Sequence, residues 1–392
     1  ILILISLTSF VSAQDIEITQ GESITIGQTF TLKSRVLGED RELYISLPEG
    51  YENSNLTYPV VYVLDAEELG NFQLVTGMLS AWDTDGIIPE TIVVGLVNSI
   101  GPVNVNRTRD FSPSISVDGQ GGGADTFLQF VTEELQPFIN TNYRVEPFNI
   151  LIGHSMSGLF TIHALLRKTD AFGAYIAISP AVWWNDEEVI EHAKELIESG
   201  YAFDNKILFM SLADESGDAH RNLVEVITYT QPEGLDFSSI ELPEDGHGTT
   251  RIRALYYGIR HIYDGWLPPS YISSLDELLL HYENLSDKYG YQVEIPEMEM
   301  KIQAQNIGQK NNDNGDEIIK TYTYLRDNYP ISAVTLGGLA GGLKRKGQLD
   351  EAYSLNDQAI EMAIEEKHPF LKYYLEAKED IEKLIAERDS AN

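Results

Sequence analysis

Apolar and polar positions alternate in two ways along this chain, and the change from one to the other marks its architecture. Between Asp15 and about Ser46 apolar residues recur at every second position. They run through Ile16-Glu17-Ile18-Thr19, Ile24-Thr25-Ile26, Thr29-Phe30-Thr31-Leu32 and Leu43-Tyr44-Ile45-Ser46, the period of strands with one wet face. Leu47-Pro48-Glu49-Gly50-Tyr51 breaks the pattern with turn residues. From Tyr58 onward the strand-like segments are continuously apolar: Tyr58 to Asp65, Thr91 to Leu96, Asn149 to Ile152, Tyr175 to Ser179 and Lys206 to Leu212. Such runs suit strands covered on both faces. Helix-period segments separate them. One spans about Leu74 to Trp82, and another about Glu187 to Ile197. A third, capped by Asp125, runs to about Ile139 with Phe127, Phe130, Val131, Leu135 and Phe138 on one face. Strand and helix alternating at this spacing predict an α/β fold, a mostly parallel sheet flanked by helices.

One junction in this pattern carries chemistry. In Asn149-Ile150-Leu151-Ile152-Gly153-His154-Ser155-Met156-Ser157-Gly158-Leu159-Phe160 a strand turns sharply at Ser155 into a helix that continues to about Arg167. This is the form of a nucleophile elbow, whose serine must stand clear of the sheet in a strained turn. Crowding demands small residues two before and two after it, and Gly153 and Ser157 satisfy that. Ser155 also precedes a helix N-terminus, where free N–H groups favour developing negative charge.

A serine so placed needs a base and an acid, in the chain order serine, acid, histidine. Among the eight histidines, His154 adjoins the serine and points elsewhere. His163, His192, His261, His281 and His368 fall in helical patterns, and His220 begins a helix. His247, in Glu244-Asp245-Gly246-His247-Gly248-Thr249-Thr250, sits in a glycine-flanked loop ahead of a helix and is the expected base. The acid should follow the run ending at Leu212. Glu215 is the first choice, with Asp214 and then Asp218 as alternatives. An oxyanion hole needs two backbone N–H groups: one from Met156, the other from Ala66 or Glu67 after the strand that ends at Asp65.

Composition narrows the partners. The chain of 392 residues has 27 basic and 61 acidic residues, a formal charge of −34, which argues against a nucleic-acid-binding face. Any anionic ligand would need a local arginine cluster, for which Arg107 and Arg109 are candidates. Ile1 to Ala13 reads as the apolar core and small-residue cleavage site of a truncated signal peptide, so a periplasmic or secreted location is expected, with no membrane anchor in the mature chain. There is no cysteine, hence no disulfide and no thiolate metal site. Neither a metal nor a cofactor is expected. The run Gly119-Gln120-Gly121-Gly122-Gly123 lacks the Lys-Ser/Thr ending of a phosphate cradle and is read as a flexible loop near the mouth of the site.

Several separated segments resemble one family. Arg35-Val36-Leu37-Gly38-Glu39-Asp40-Arg41, Leu47 to Tyr51, Tyr58 to Asp65, Gly153 to Gly158 and Ser179-Pro180-Ala181-Val182-Trp183-Trp184 are similar to the bacterial putative-esterase family. That family includes the enterobactin (ferric siderophore) esterases and is related to feruloyl esterases and mycolyltransferases. The resemblance covers about Ser34 to Leu267. It implies an α/β-hydrolase fold, Ser155 as nucleophile, His247 as base, Glu215 as acid, Glu67 as the second oxyanion donor, and Trp183 and Trp184 lining the substrate pocket.

From about Ser270 the sequence becomes charged and helix-forming. Leu339 to Ala352 with Gln358-Ala359-Ile360 is similar to one tetratricopeptide unit hinged at Gly347. The expected layout is a signal peptide at 1–13, a hydrolase domain at 14–269, a helical linker at 270–302 and a tetratricopeptide-like region at 303–392. That last region is expected to dock on the hydrolase domain, with a protein partner as the alternative. The functional expectation is a secreted serine esterase acting through an acyl-enzyme on a small-molecule siderophore lactone or an oligosaccharide-linked feruloyl or acetyl ester. Acyl transfer to an alcohol, or a non-catalytic scaffold using the tail, are the alternatives.

Overall fold

The computed structural model describes residues 23–67, 70–84, 86–98, 105–311, 314–365 and 367–391. The signal peptide expected at Ile1–Ala13 and the strand expected at Ile16–Thr19 lie outside these residues. In chain order the elements are β1 (Gln28–Lys33), β2 (Asp40–Ser46), β3 (Tyr58–Val63), α1 (Asn71–Thr84), β4 (Ile92–Leu96), α2 (Val105–Phe111), α3 (Ala124–Phe130), α4 (Gln136–Asn142), β5 (Val145–His154) and α5 (Met156–Arg167). There follow β6 (Ala174–Ile178), α6 (Trp184–Glu198), β7 (Lys206–Ala213), α7 (Asp218–Thr230), β8 (Leu235–Leu242) and α8 (Arg251–Ile262). The helices α9 (Leu275–Tyr289), α10 (Glu297–Lys310), α11 (Gly315–Asn328), α12 (Ala333–Arg345), α13 (Leu349–Glu365) and α14 (Leu371–Ala391) complete the chain.

The eight strands form one sheet in the order β1-β2-β4-β3-β5-β6-β7-β8. β1, β2 and β4 pair antiparallel, and every pair from β4 through β8 is parallel. The continuous apolar runs have the meaning that their pattern suggests. Tyr58, Val60 and Tyr62 of β3 face one layer of helices, while Val61 and Val63 face the other, because successive side chains leave a strand on opposite sides. On the first side lie Phe111, Phe127, Phe130 and Phe160 from α2, α3 and α5, all buried. On the second lie Phe72 and Leu79 of α1 with Leu255 and Ile259 of α8.

Several sequence expectations shift. Ile24–Ile26 is irregular and exposed, and the first strand of the described residues begins at Gln28. The helix expected to start under an Asp125 cap begins two residues earlier, with Gly123 at the cap. Asp125 instead uses its carboxylate on His163 (2.8 Å) and Arg167 (3.1 Å). That helix is interrupted by a π turn, Val131–Leu135, before α4. The glycine run is a bonded turn rather than an open loop: Ser116 N–H donates to Gln120 O and Gly122 N–H to Ser112 Oγ. Gly121 is required because a Cβ there would lie 2.1 Å from Ser112 Oγ and 3.0 Å from the Trp184 ring.

The C-terminal helices are not set apart from the sheet. Tyr263 and Trp266 after α8, Tyr282 and Tyr289 of α9, Met300 and Ile307 of α10 and Leu325 of α11 belong to the same buried cluster as the second sheet face. Phe148 of β5 meets Tyr289 edge to face at 5.0 Å. Beyond them α12, α13 and α14 carry two small clusters of their own. Glycines of α12 allow close crossings there: a Cβ on Gly338 would fall 2.2 Å from the Tyr322 ring, and one on Gly337 2.5 Å from Tyr374. No helix of the described residues is long and apolar enough to cross a membrane.

Candidate active site

Ser155 caps α5 at the carboxyl end of β5 with φ 62° and ψ −118°, a conformation that side chains with a Cβ rarely adopt. Surrounding bonds hold it. Ser155 N–H donates to Ile178 O, and Ser155 O accepts from the N–H groups of Leu159 and Ala181. The turn is so tight that a Cβ on Gly153 would lie 2.1 Å from Ser157 O. Ser157, where a second glycine is usual, is fully buried. Its Oγ accepts from His154 N–H and donates to His154 O, each at 2.9 Å. The hydroxyl therefore fits the crowded position and bonds both backbone groups of the residue before the nucleophile.

His247 lies in the loop between β8 and α8. Its Nδ1 is 2.8 Å from Glu215 Oε2. The structure brings Glu215, and not Asp214, onto this ring. Asp214 is exposed, and its backbone N–H donates to Asp245 O at 2.8 Å, which ties the acid's turn to the base's loop. Asp218, the third candidate, lies at the start of α7 with its carboxylate 96% exposed, 3.7 Å from Arg221. Ser155, Glu215 and His247 line one cleft of about 260 Å³, together with Trp183, Glu187, Asp218 and His220.

The residue before the nucleophile has a use that its sequence position concealed. The His154 ring stacks on His247 with centroids 4.5 Å apart, and its Nε2 is 2.9 Å from His247 O. Burial, then the neighbouring His247, pushes its pKa down to about 3. A neutral ring therefore braces the base loop. His220 is likewise pushed down by burial, to about 4. Both histidines are neutral in the fold, and both take a proton near pH 6.5 when unfolded. Between those values the unfolded chain binds more protons, so stability falls as pH drops below about 6.5, by up to about 1.4 kcal/mol per pH unit for each histidine. Urea unfolding at a series of pH values between 7.5 and 5 should show this slope, and His220→Gln should about halve it, leaving the share of His154. A stability curve that is level from 7.5 to 5 is the contrary result.

Of the two N–H groups considered after β3, that of Ala66 donates to Leu96 O, which leaves Glu67 as the candidate beside Met156. The Glu67 carboxylate accepts from Asn98 N–H at 3.2 Å, holding its turn to the end of β4. Arg107 and Arg109 are placed differently from the expectation of an anion-binding pair. Arg107 Nε donates to Asp65 Oδ2 at 2.9 Å and its Nη2 to His154 O at 3.3 Å. It thus links the end of β3 to the end of β5. Arg109 pairs with Glu39 and Asp110. A helix in a stretch expected to be loop, α2, supplies both, and their charges are met by this chain's own carboxylates. The two tryptophans also part company. Trp183 is 61% exposed and lines the cleft, whereas Trp184 is 8% exposed. The Trp184 Nε1–H donates to Ser114 O, so it packs under the glycine turn and is absent from the cleft wall.

A strained serine at the end of a central strand of a mostly parallel eight-stranded sheet, in a cleft shared with a histidine–carboxylate pair, defines the α/β-hydrolase class. A family model described as "Putative esterase" matches residues 34–223. The solved structure of an IroE-like serine hydrolase from Shewanella oneidensis is 30% identical with a TM-score of 0.66, the match covering 73% of this chain and 96% of that one. Ferri-bacillibactin esterase BesA of Bacillus subtilis is 28% identical over 214 residues, 48% of this chain and 73% of its own. An uncharacterised protein from Capnocytophaga ochracea, 18% identical with a TM-score of 0.67, shares the fold over 88% of this chain and 99% of its own. The chain belongs to the putative-esterase family and is a carboxylic-ester hydrolase.

Proposed function

We propose that this chain is an exported serine esterase that works through Ser155, His247 and Glu215 and passes through an acyl-enzyme. The observation that carries this reading is the 2.8 Å contact between Glu215 Oε2 and His247 Nδ1 in the cleft that Ser155 lines. Glu215 holds the Nδ1–H tautomer, so Nε2 takes the Ser155 proton as Oγ attacks the ester carbonyl. The N–H groups of Met156 and Glu67 receive the developing oxyanion. His247 returns the proton to the leaving alcohol, and the acyl group stays on Ser155. Water, deprotonated by the same imidazole, then attacks the acyl carbon and releases the acid. The apolar leader Ile1–Ala13 supports export.

The substrate class we favour is a siderophore lactone or a polysaccharide-linked feruloyl or acetyl ester. The likeness to a protein named ferri-bacillibactin esterase and to one named siderophore triacetylfusarinine C esterase supports the first. A fluorophosphonate, which mimics the tetrahedral adduct, should label the full chain once, at Ser155, and stop ester hydrolysis in proportion. Mass spectrometry of the peptide locates the adduct. Labelling elsewhere, with activity lost, would overturn the assignment of the nucleophile.

A further inference from the structure

The charge of the cleft deepens the reading just given, and rests on it. We propose that the cleft at Ser155 takes esters that are uncharged or cationic and turns away polyanionic ones. The charged groups on its described walls are carboxylates: Glu187, Glu215 and Asp218. Asp218 stands in solvent at the mouth, and Glu187 is anchored by an Asn222 Nδ2–H at 3.1 Å. Glu187 is held there deliberately. It ends a run of three left-handed residues, Asn185, Asp186 and Glu187, at φ 44°, 52° and 64°, each sterically disfavoured for a residue with a Cβ. Asn185 Nδ2 fixes this run by donating to Ile115 O at 3.0 Å and to Ser114 Oγ. The fold thus sustains strain at the point that sets an acid in the cleft that Ser155 lines.

On the described walls themselves only a protonated His247 would offset these charges; outside them Arg221, 3.7 Å from Asp218, is shared between that exposed carboxylate and Glu241. His220, 3% exposed in the same wall, is neutral because burial pushes its pKa down to about 4. The nearby arginines are committed to this chain. Arg107 bonds Asp65 and His154 O, Arg109 bonds Glu39 and Asp110, Arg221 bonds Glu241 at 2.8 Å, and Arg251 bonds Gly248 O. The sequence between Asn98 and Val105 holds no charged residue, and the whole chain carries −34. A field of one sign focused in a cleft repels an approaching ligand of that sign. A ferric tris-catecholate is net negative, since three doubly deprotonated catechols outweigh one ferric ion. Iron-free lactones, hydroxamate-based esters and glycosyl esters carry no such charge.

The test uses three 4-nitrophenyl esters of equal acyl length, ending in methyl, carboxylate or trimethylammonium, with the full-length chain. At low ionic strength kcat/KM for the carboxylate ester should be about tenfold below that of the methyl ester, and the gap should close as salt screens the cleft. Salt should act in the opposite direction on the trimethylammonium ester. Asp218→Lys and Glu187→Lys should each shrink the ratio of methyl to carboxylate ester, a ratio read within one variant so that any general loss cancels. A carboxylate ester hydrolysed as well as the methyl ester at low salt overturns the charge inference and leaves the esterase reading standing. Hydrolysis of none of the three overturns the esterase reading, and this inference with it.

Discussion

Ser155→Ala should lower kcat by about a millionfold, the scale on which removing an activated serine acts in other hydrolases. The substitution removes one hydroxyl and little else. Ser155 sits at φ 62°, and alanine must take the same strained backbone, so the turn, the start of α5 and the Met156 N–H should stay where they are. What remains should be the catalysis that the oxyanion donors provide without a nucleophile, about a thousandfold over water. A stopped-flow or end-point assay on an activated ester, with a thermal melt to show the variant folded, reads both quantities. A folded variant that keeps more than about a hundredth of the wild-type rate would remove Ser155 from the mechanism.

Glu215→Gln should cost about ten-thousandfold in kcat with KM nearly unchanged. The carboxylate accepts the Nδ1–H of His247 at 2.8 Å. A glutamine can present its NH₂ there instead, and it then favours the tautomer whose Nε2 carries the proton and cannot take another. Asp214→Asn is the control. Because the exposed Asp214 acts on the base loop through its backbone N–H, the amide should leave kcat within about threefold, inside the usual range for exposed sites away from the reacting atoms. If the two variants exchanged these outcomes, the acid would have to be reassigned.

How much of this was readable in advance follows from where each residue's energy comes from. β3, β4, β6, β7 and the second half of β5 are nearly continuous apolar runs because both faces are covered, so sequence alone reveals them. The first half of β5 mixes polar and apolar residues, is mostly half exposed and leaves no such run. β8 (Leu-Asp-Phe-Ser-Ser-Ile-Glu-Leu) lies at the sheet edge with most positions half exposed, and its sequence carries neither a clean alternation nor a continuous run. α2 is seven residues long and mostly polar; its arginines are fixed by Asp65 and Glu39 across the fold as well as by the adjacent Asp110, and no local period records the distant partners. His154 reads as a residue beside the nucleophile, yet its partner is a carbonyl 93 positions away. The adjacent Trp183 and Trp184 are indistinguishable as letters. Only the glycine turn, with room for one indole beneath it, separates their fates.

The indivisible back of the sheet has a consequence for how such proteins can be rearranged. Tyr289 lies against Phe148, and the apolar cluster runs without a break from Ile150 through Leu278 to Leu325. The break in sequence character near Ser270 is therefore no seam in the object. Recombination there would strip the covering from one side of the catalytic layer. An exchange that spares the hydrolase must carry α9 to α12 along with it, since Leu339 of α12 belongs to the same cluster, which leaves α13 and α14 the freer to diverge.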